Sequence, residues 1–186
     1  MIIMAFDPGI SGGYAILANK ELVCRGKMPI DKNLKNKKST INLDEVINLI
    51  NAYKPDVVVL ERQAPRPGEG ISSSWTSGYN FGLLFALSSF LVKNVVLVSP
   101  RSWATKLHDP NSQLENPKEK SLEVAKKLFP NENFLATQRS SKPHEGIIDA
   151  LLISYWYQEH GISLTEKEPK RKTTKQRKKN AKTRKR

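Results

Sequence analysis

One cysteine, Cys24, stands among 186 residues. A disulfide framework and a cysteine-built zinc site within one chain are therefore excluded, and Cys24 is expected to be a buried structural thiol in a reducing, cytoplasmic setting. Histidine is also scarce, with three residues. No apolar run is long enough to span a bilayer. The N-terminus has no apolar leader segment and is expected to enter a strand at once. No internal repeat is visible. Hydrophobic residues make up 38% of the chain, enough for one core of modest size.

Charge is abundant and unevenly placed. The net charge is +13, and residues 165–186 alone hold 12 Lys/Arg against two Glu. The rest of the chain is only mildly basic. The expected organisation is a folded domain over residues 1–160 and a basic tail over 161–186 that is disordered in isolation. Such a tail suits loose, salt-sensitive attachment to DNA, adding affinity without sequence information. Lys32 to Lys38 is rich in Lys and Asn, with Leu34 its one apolar residue, and is expected to be a loop, either solvated or in contact with a polyanion.

The remaining sequence alternates short apolar runs with helical patterns. Residues 2–7, 13–18 and 21–28 read as three strands joined by short turns, the first closed by Pro8-Gly9 and Gly12-Gly13. Leu43, Val46, Ile47, Ile50 and Tyr53 recur at helical spacing. Residues 56–61 form a β-branched run typical of a strand buried on both faces. Residues 64–74, rich in Pro, Gly and Ser, read as a loop, and an almost uniformly apolar helix is expected over 76–92. A strand at 94–98, a short helix capped by Ser99 with Pro100 in its first turn, a helix over 116–129, an irregular stretch over 130–143 and a helix over 144–159 complete the reading. The fold class is α/β: a mixed five-stranded sheet, antiparallel meander then parallel strands, flanked by helices.

Acids stand where the core ends. Asp7 and Glu61 each terminate an apolar strand, and their carboxylates meet if those strands are parallel neighbours. Glu145 and Asp149 are four residues apart, on one face of the last helix. Acids beside a core must be paired, protonated or bound to a cation. An all-oxygen set suits Mg²⁺, and two such ions are the usual device for phosphodiester hydrolysis.

Phe6-Asp7-Pro8-Gly9, Val59-Leu60-Glu61-Arg62-Gln63 and Asp149-Ala150-Leu151-Leu152-Ile153 resemble the RuvC family of Holliday-junction resolvases, which have the RNase H-like fold. Trp75-Thr76-Ser77-Gly78-Tyr79-Asn80-Phe81-Gly82, Val98-Ser99-Pro100-Arg101-Ser102-Trp103 and the Lys118 to Pro130 stretch look like its chloroplast-type subfamily. In the RuvC pattern proper, the final acid has its partner three residues earlier, which is Gly146 here. The chloroplast-type pattern sets the partner four residues earlier, on Glu145, with neighbouring His144 the alternative.

The resemblance implies a structure-selective endodeoxyribonuclease that nicks four-way junctions symmetrically. Asp7, Glu61, Glu145 and Asp149 would be its catalytic residues, holding two Mg²⁺ or Mn²⁺ ions, with no small-molecule cofactor. It also implies a homodimer, for which the 76–92 helix is the expected interface, and a Pro65–Gly78 loop that enters the junction. Trp75, Ser77, Tyr79, Arg62, Arg101, Lys106, Arg139 and Lys142 would contact DNA. The expected setting is cytoplasmic, nucleoid-associated or viral. A related nuclease acting on flaps, forks or hybrids and a non-catalytic nucleic-acid-binding protein are the alternatives. An actin-like or sugar-kinase ATPase would share the Asp7–Gly13 pattern, but it needs a second phosphate loop and a longer chain.

Overall fold

In the computed structural model of the chain, residues 1–32, 39–65 and 67–161 are described. The expected polyanion-binding loop after Lys32 and the basic tail lie outside the described residues. Among the described residues no helix is long and apolar enough to cross a membrane.

The sheet is the expected one. β1 (Ile2–Asp7), β2 (Gly13–Ala18) and β3 (Glu21–Lys27) form an antiparallel meander. β4 (Ile30–Lys32) pairs with β5 (Ser39–Ile41) in a small separate hairpin that was not anticipated. Helix α1 (Leu43–Tyr53) leads to β6 (Val57–Glu61), which lies parallel to β1. Helix α2 (Ile71–Leu91) leads to β7 (Val95–Val98), parallel to β6. Helices α3 (Pro100–Leu107), α4 (Pro117–Leu128) and α5 (Glu145–His160) follow. The strand order is β3-β2-β1-β6-β7.

Strand alternation divides the core into two layers. Ile3, Ala5, Val57 and Val59 pack towards α5, whereas Met4, Phe6, Val58 and Leu60 pack towards α1 and α2. Asp7 and Glu61 continue the first series, so the same period that builds the core delivers both acids to the α5 side. The register of β1 on β6 pairs Phe6 with Leu60, which sets the two acids next to each other at the strands' C-terminal ends. At the opposite end the register is locked by a reciprocal clamp. The Ile2 N–H donates to the Asp56 carboxylate at 2.6 Å, and the Asp56 N–H donates to the Ile2 carbonyl at 2.9 Å.

Helix α2 departs from expectation. It begins at Ile71, so Trp75 and Ser77 are helical and only the first part of the Pro65–Gly78 segment is loop. The helix breakers end at Gly70, and the serines that follow are tolerable helix formers at exposed positions. Buried Asn80 ties this helix to the new hairpin: its side-chain oxygen accepts from the Ile41 N–H, and its amide donates to the Thr76 carbonyl.

Helix α5 is held against the β1–β2 turn by backbone contact. The Gly12 N–H donates to the Gly9 carbonyl at 2.9 Å, closing the turn, and Gly12 pairs with Gly146 in an isolated bridge. A Cβ on Gly13 would stand 2.7 Å from the backbone of Gly146 and Ile147, and one on Gly146 would overlap Gly12. The segment before α5 is fastened to β3 by Arg25, whose guanidinium donates to Glu132, the Leu135 carbonyl and Asn133. Gly146→Ala is therefore expected to destabilise the protein by about 1–3 kcal/mol in urea unfolding. Gly78→Ala, where a Cβ meets nothing within 4 Å, should instead stabilise it by about 0.5–1 kcal/mol.

Candidate active site

The contact between α5 and the turn brings the first turn of α5 to the ends of β1 and β6. Asp7, Glu61, Glu145 and Asp149 all line one cleft of about 500 Å³, together with Pro8 to Gly12, Gln63, Ser77 and Lys118. Three of the acids arrive by separate local devices. Asp7 is the last residue of β1, opposite Gly13 of β2. Glu61 ends β6 and is only 6% exposed, its Oε1 accepting from the Trp103 indole N–H at 2.8 Å. Asp149 lies one turn beyond Glu145 on α5, between the buried residues Ile148 and Ala150.

Crowding of like charge shows in the Asp149 carboxyl. It is pushed up from 3.8 to about 7, first by burial and then by Glu61, with a smaller push from Glu145. The neighbouring Ser121 hydroxyl and the Lys118 ammonium partly offset this. Lys118 forms an ion pair with Glu145, so one cation already stands among the acids. The pair is more than half exposed on both sides, and exchanging it for another cation costs little.

His144 and Glu145 part company here. His144 is the N-cap of α5, its Nδ1 accepting from the Ile147 N–H at 3.3 Å, while Glu145 faces the cleft. Burial, and then Lys27, hold the His144 pKa below its ordinary value, consistent with a neutral capping ring. The two neighbours thus divide capping and cleft lining between them.

The donor set is chemically suited to a hard divalent cation: oxygen ligands alone, one of them with a pKa raised first by burial and then by Glu61. Among the described residues no three His, Cys, Asp or Glu side chains converge closely enough to hold an ion as they stand. Glu145 is engaged by Lys118 and Glu61 by Trp103.

The expected DNA contacts fall into two groups. Ser77 lines the acidic cleft, while Trp75 and Tyr79 border an adjoining cavity of about 490 Å³. Arg62, Arg101, Arg139 and Lys142 are exposed and line neither cavity, and Lys106 borders a separate cavity between α3 and α4. Three residues of the site had not been singled out. Lys118 lay hidden in a lysine-rich helix, Trp103 resembled an ordinary core aromatic, and Ser121 carries no sequence signal. Only the partner across the fold gives each its meaning.

The chain matches no family model and no curated protein. Solved structures are nevertheless similar. Thermus thermophilus RuvC in complex with a Holliday junction substrate is 14% identical, with a TM-score of 0.56 over 87% of this chain and 97% of that one. Another Thermus thermophilus RuvC structure is 16% identical, with a TM-score of 0.52 over the same shares, 87% and 97%. The fold is RNase H-like. In the RNase H-like frame the acids sit at the C-terminal edge of the two central parallel strands, where open α/β sheets place their ligands.

The Asp149 environment gives a prediction with a definite sign. A carboxyl whose folded pKa lies above its unfolded one binds the proton more tightly when folded, so stability falls as pH rises between the two values. In EDTA, the stability gained by Asp149→Asn over the wild type should grow by about 2–3 kcal/mol between pH 5 and pH 8. Denaturant melts of both proteins would check this, and adding Mg²⁺ at pH 8 should stabilise the wild type more than the variant.

Proposed function

We propose that this chain is a metal-dependent endonuclease that resolves four-way DNA junctions, related most closely to the chloroplast-type resolvases. The observation that carries the reading is the single cleft onto which Asp7, Glu61, Glu145 and Asp149 all open, at the edge of an RNase H-like sheet. Two Mg²⁺ or Mn²⁺ ions held there would lower the pKa of water and neutralise charge on the scissile phosphodiester. The chain's own residues supply the rest. Asp7, Glu61, Glu145 and Asp149 would supply oxygens to the ions, with Glu145 leaving its pair with Lys118, and the glycine turn seats α5 so that all four acids line one cleft. Lys118, once released from Glu145, is placed to meet a phosphate.

The surroundings fit branched DNA. Trp75 is 75% exposed and Tyr79 half exposed, and the cavity they border shares Ile10, Ser72, Thr76 and Asn80 with the acidic cleft. A base stacked there lies beside the phosphate being cut, and stacking of this kind is worth roughly 1–3 kcal/mol per base. Arg62, Arg101, Lys106, Arg139 and Lys142 provide exposed positive charge for the arms, and the basic tail adds salt-sensitive affinity.

Dimerisation completes the reading. Helix α2 leaves Phe90 87% exposed and Phe85 37% exposed, an apolar face that suits a second copy of the chain. A two-fold dimer matches a two-fold junction and places two sites for paired nicks. Phe90→Glu should convert a dimer to a monomer in sedimentation, while Asp7→Asn should leave the mass unchanged.

A labelled four-way junction with Mg²⁺ tests the activity, alongside linear duplex, flap and RNA–DNA hybrid controls. Paired nicks across the junction are expected, falling to background in EDTA and in Asp7→Asn. Preferential cutting of flaps or hybrids would move the assignment to a sister nuclease. Tight junction binding with no cutting would make the chain a binding protein.

A further inference from the structure

We infer that Trp103, His108 and Ser121 form a positioning shell that orients Glu61 and Asp149 for divalent-cation binding in the cleft; this rests on the nuclease reading of the cleft. The three residues come from α3, the residue that ends it and α4. They reach the two acids from behind, and none of them lines the cleft itself.

The connections form an unbroken chain. The Trp103 indole N–H donates to Glu61 Oε1 at 2.8 Å in a buried contact. The Trp103 ring meets His108 edge-on, with centroids 5.8 Å apart and planes at 85°. His108 Nε2 lies 3.1 Å from Ser121 Oγ, and Ser121 is the neighbouring hydroxyl that favours the ionised Asp149 carboxyl. Two carboxylates from different elements, a strand and a helix, are thus tied to one imidazole.

Hydrogen counting assigns the roles. A serine hydroxyl has one hydrogen. With that hydrogen donated to the Asp149 carboxylate, Ser121 must accept from His108, which places the imidazole hydrogen on Nε2. Burial, followed by Lys120, depresses the His108 pKa, in keeping with a neutral ring of fixed tautomer. An indole N–H is only a donor, so it orients Glu61 without competing for a cation. The indole meets Glu61 on the side away from the cleft, which the carboxylates of Glu61 and Asp149 both line. This is the arrangement by which outer residues fix metal-binding groups, and losing such a partner typically costs 10–100-fold in metal affinity or activity.

A purely structural account would stop at packing. Trp103 is 4% exposed in the main core cluster and Ser121 is also 4% exposed. A core position needs only the indole ring, however, and an apolar residue would fill the serine's place without needing a partner. The indole N–H directed at Glu61 and the buried hydroxyl held by His108 set these residues apart from their apolar neighbours.

The test measures Mn²⁺ binding to the full-length protein by electron paramagnetic resonance of the free ion, together with junction cutting as a function of Mn²⁺. Trp103→Phe keeps the ring and removes the donor; Ser121→Ala removes the hydroxyl; Ser121→Thr keeps it. Trp103→Phe and Ser121→Ala should each weaken Mn²⁺ binding 10–100-fold. They should shift the metal dependence of cutting by the same factor, with junction affinity in EDTA unchanged. Ser121→Thr should restore most of the loss. If Trp103→Phe does not fold, the serine pair decides alone. Wild-type Mn²⁺ affinity in the folded Ser121→Ala variant would overturn the inference. Wild-type protein that binds Mn²⁺ but cuts no junction would instead defeat the nuclease reading and leave the shell standing.

Discussion

Everything at the site depends on one backbone contact, the meeting of Gly12 and Gly13 with Gly146. Side chains ordinarily keep a helix well clear of a strand turn. Here three glycines remove that spacing, and the first turn of α5 lies directly on the β1–β2 turn. Glu145 flanks this contact and Asp149 follows one turn later, so closeness of the backbones becomes closeness of the carboxylates. The same contact explains why no acid occupies position 146: a side chain there would enter the space of the turn.

Around this contact the fold restrains the acids from several directions. The Asp56 clamp fixes β1 against β6, Arg25 fastens the approach to α5, and Asn80 ties the small hairpin to α2. Each restraint uses polar groups whose partners lie far away in sequence. The cost of gathering acids beside a core is visible in Asp149, whose carboxyl is raised first by burial and then by Glu61, with Lys118 offsetting part of it. Perturbed groups of this kind in a cleft mark a candidate functional site.

Much of this was readable from the residues. Asp7 and Glu61 stood out because each ends a run of apolar strand residues, and strand alternation alone carries them to the helix side. The mixed five-stranded sheet followed from a meander and strand–helix alternation, whereas the parallel pairing of β1 with β6 stood only as the condition for the two acids to meet. The start of α2 was placed too late, since a serine run reads as loop when it follows Pro and Gly, while the helix needs only the breakers to end. The β4–β5 hairpin was missed because its strands are three residues each, below any periodic signal. Lys118, Trp103 and Ser121 could not be found locally, since each takes its role from a partner across the fold: Lys118 from Glu145, Trp103 from Glu61, and Ser121 from Asp149.

The central claim is that packing α5 on the glycine turn creates one divalent-cation site from four separated acids. Anomalous diffraction from crystals of the protein grown with Mn²⁺ tests this most directly. The account predicts anomalous density within the cleft, bounded by Asp7, Glu61, Glu145 and Asp149, with Glu145 withdrawn from Lys118. A cleft without density at Mn²⁺ concentrations that occupy other surface carboxylates, with Glu145 still paired to Lys118, would contradict it.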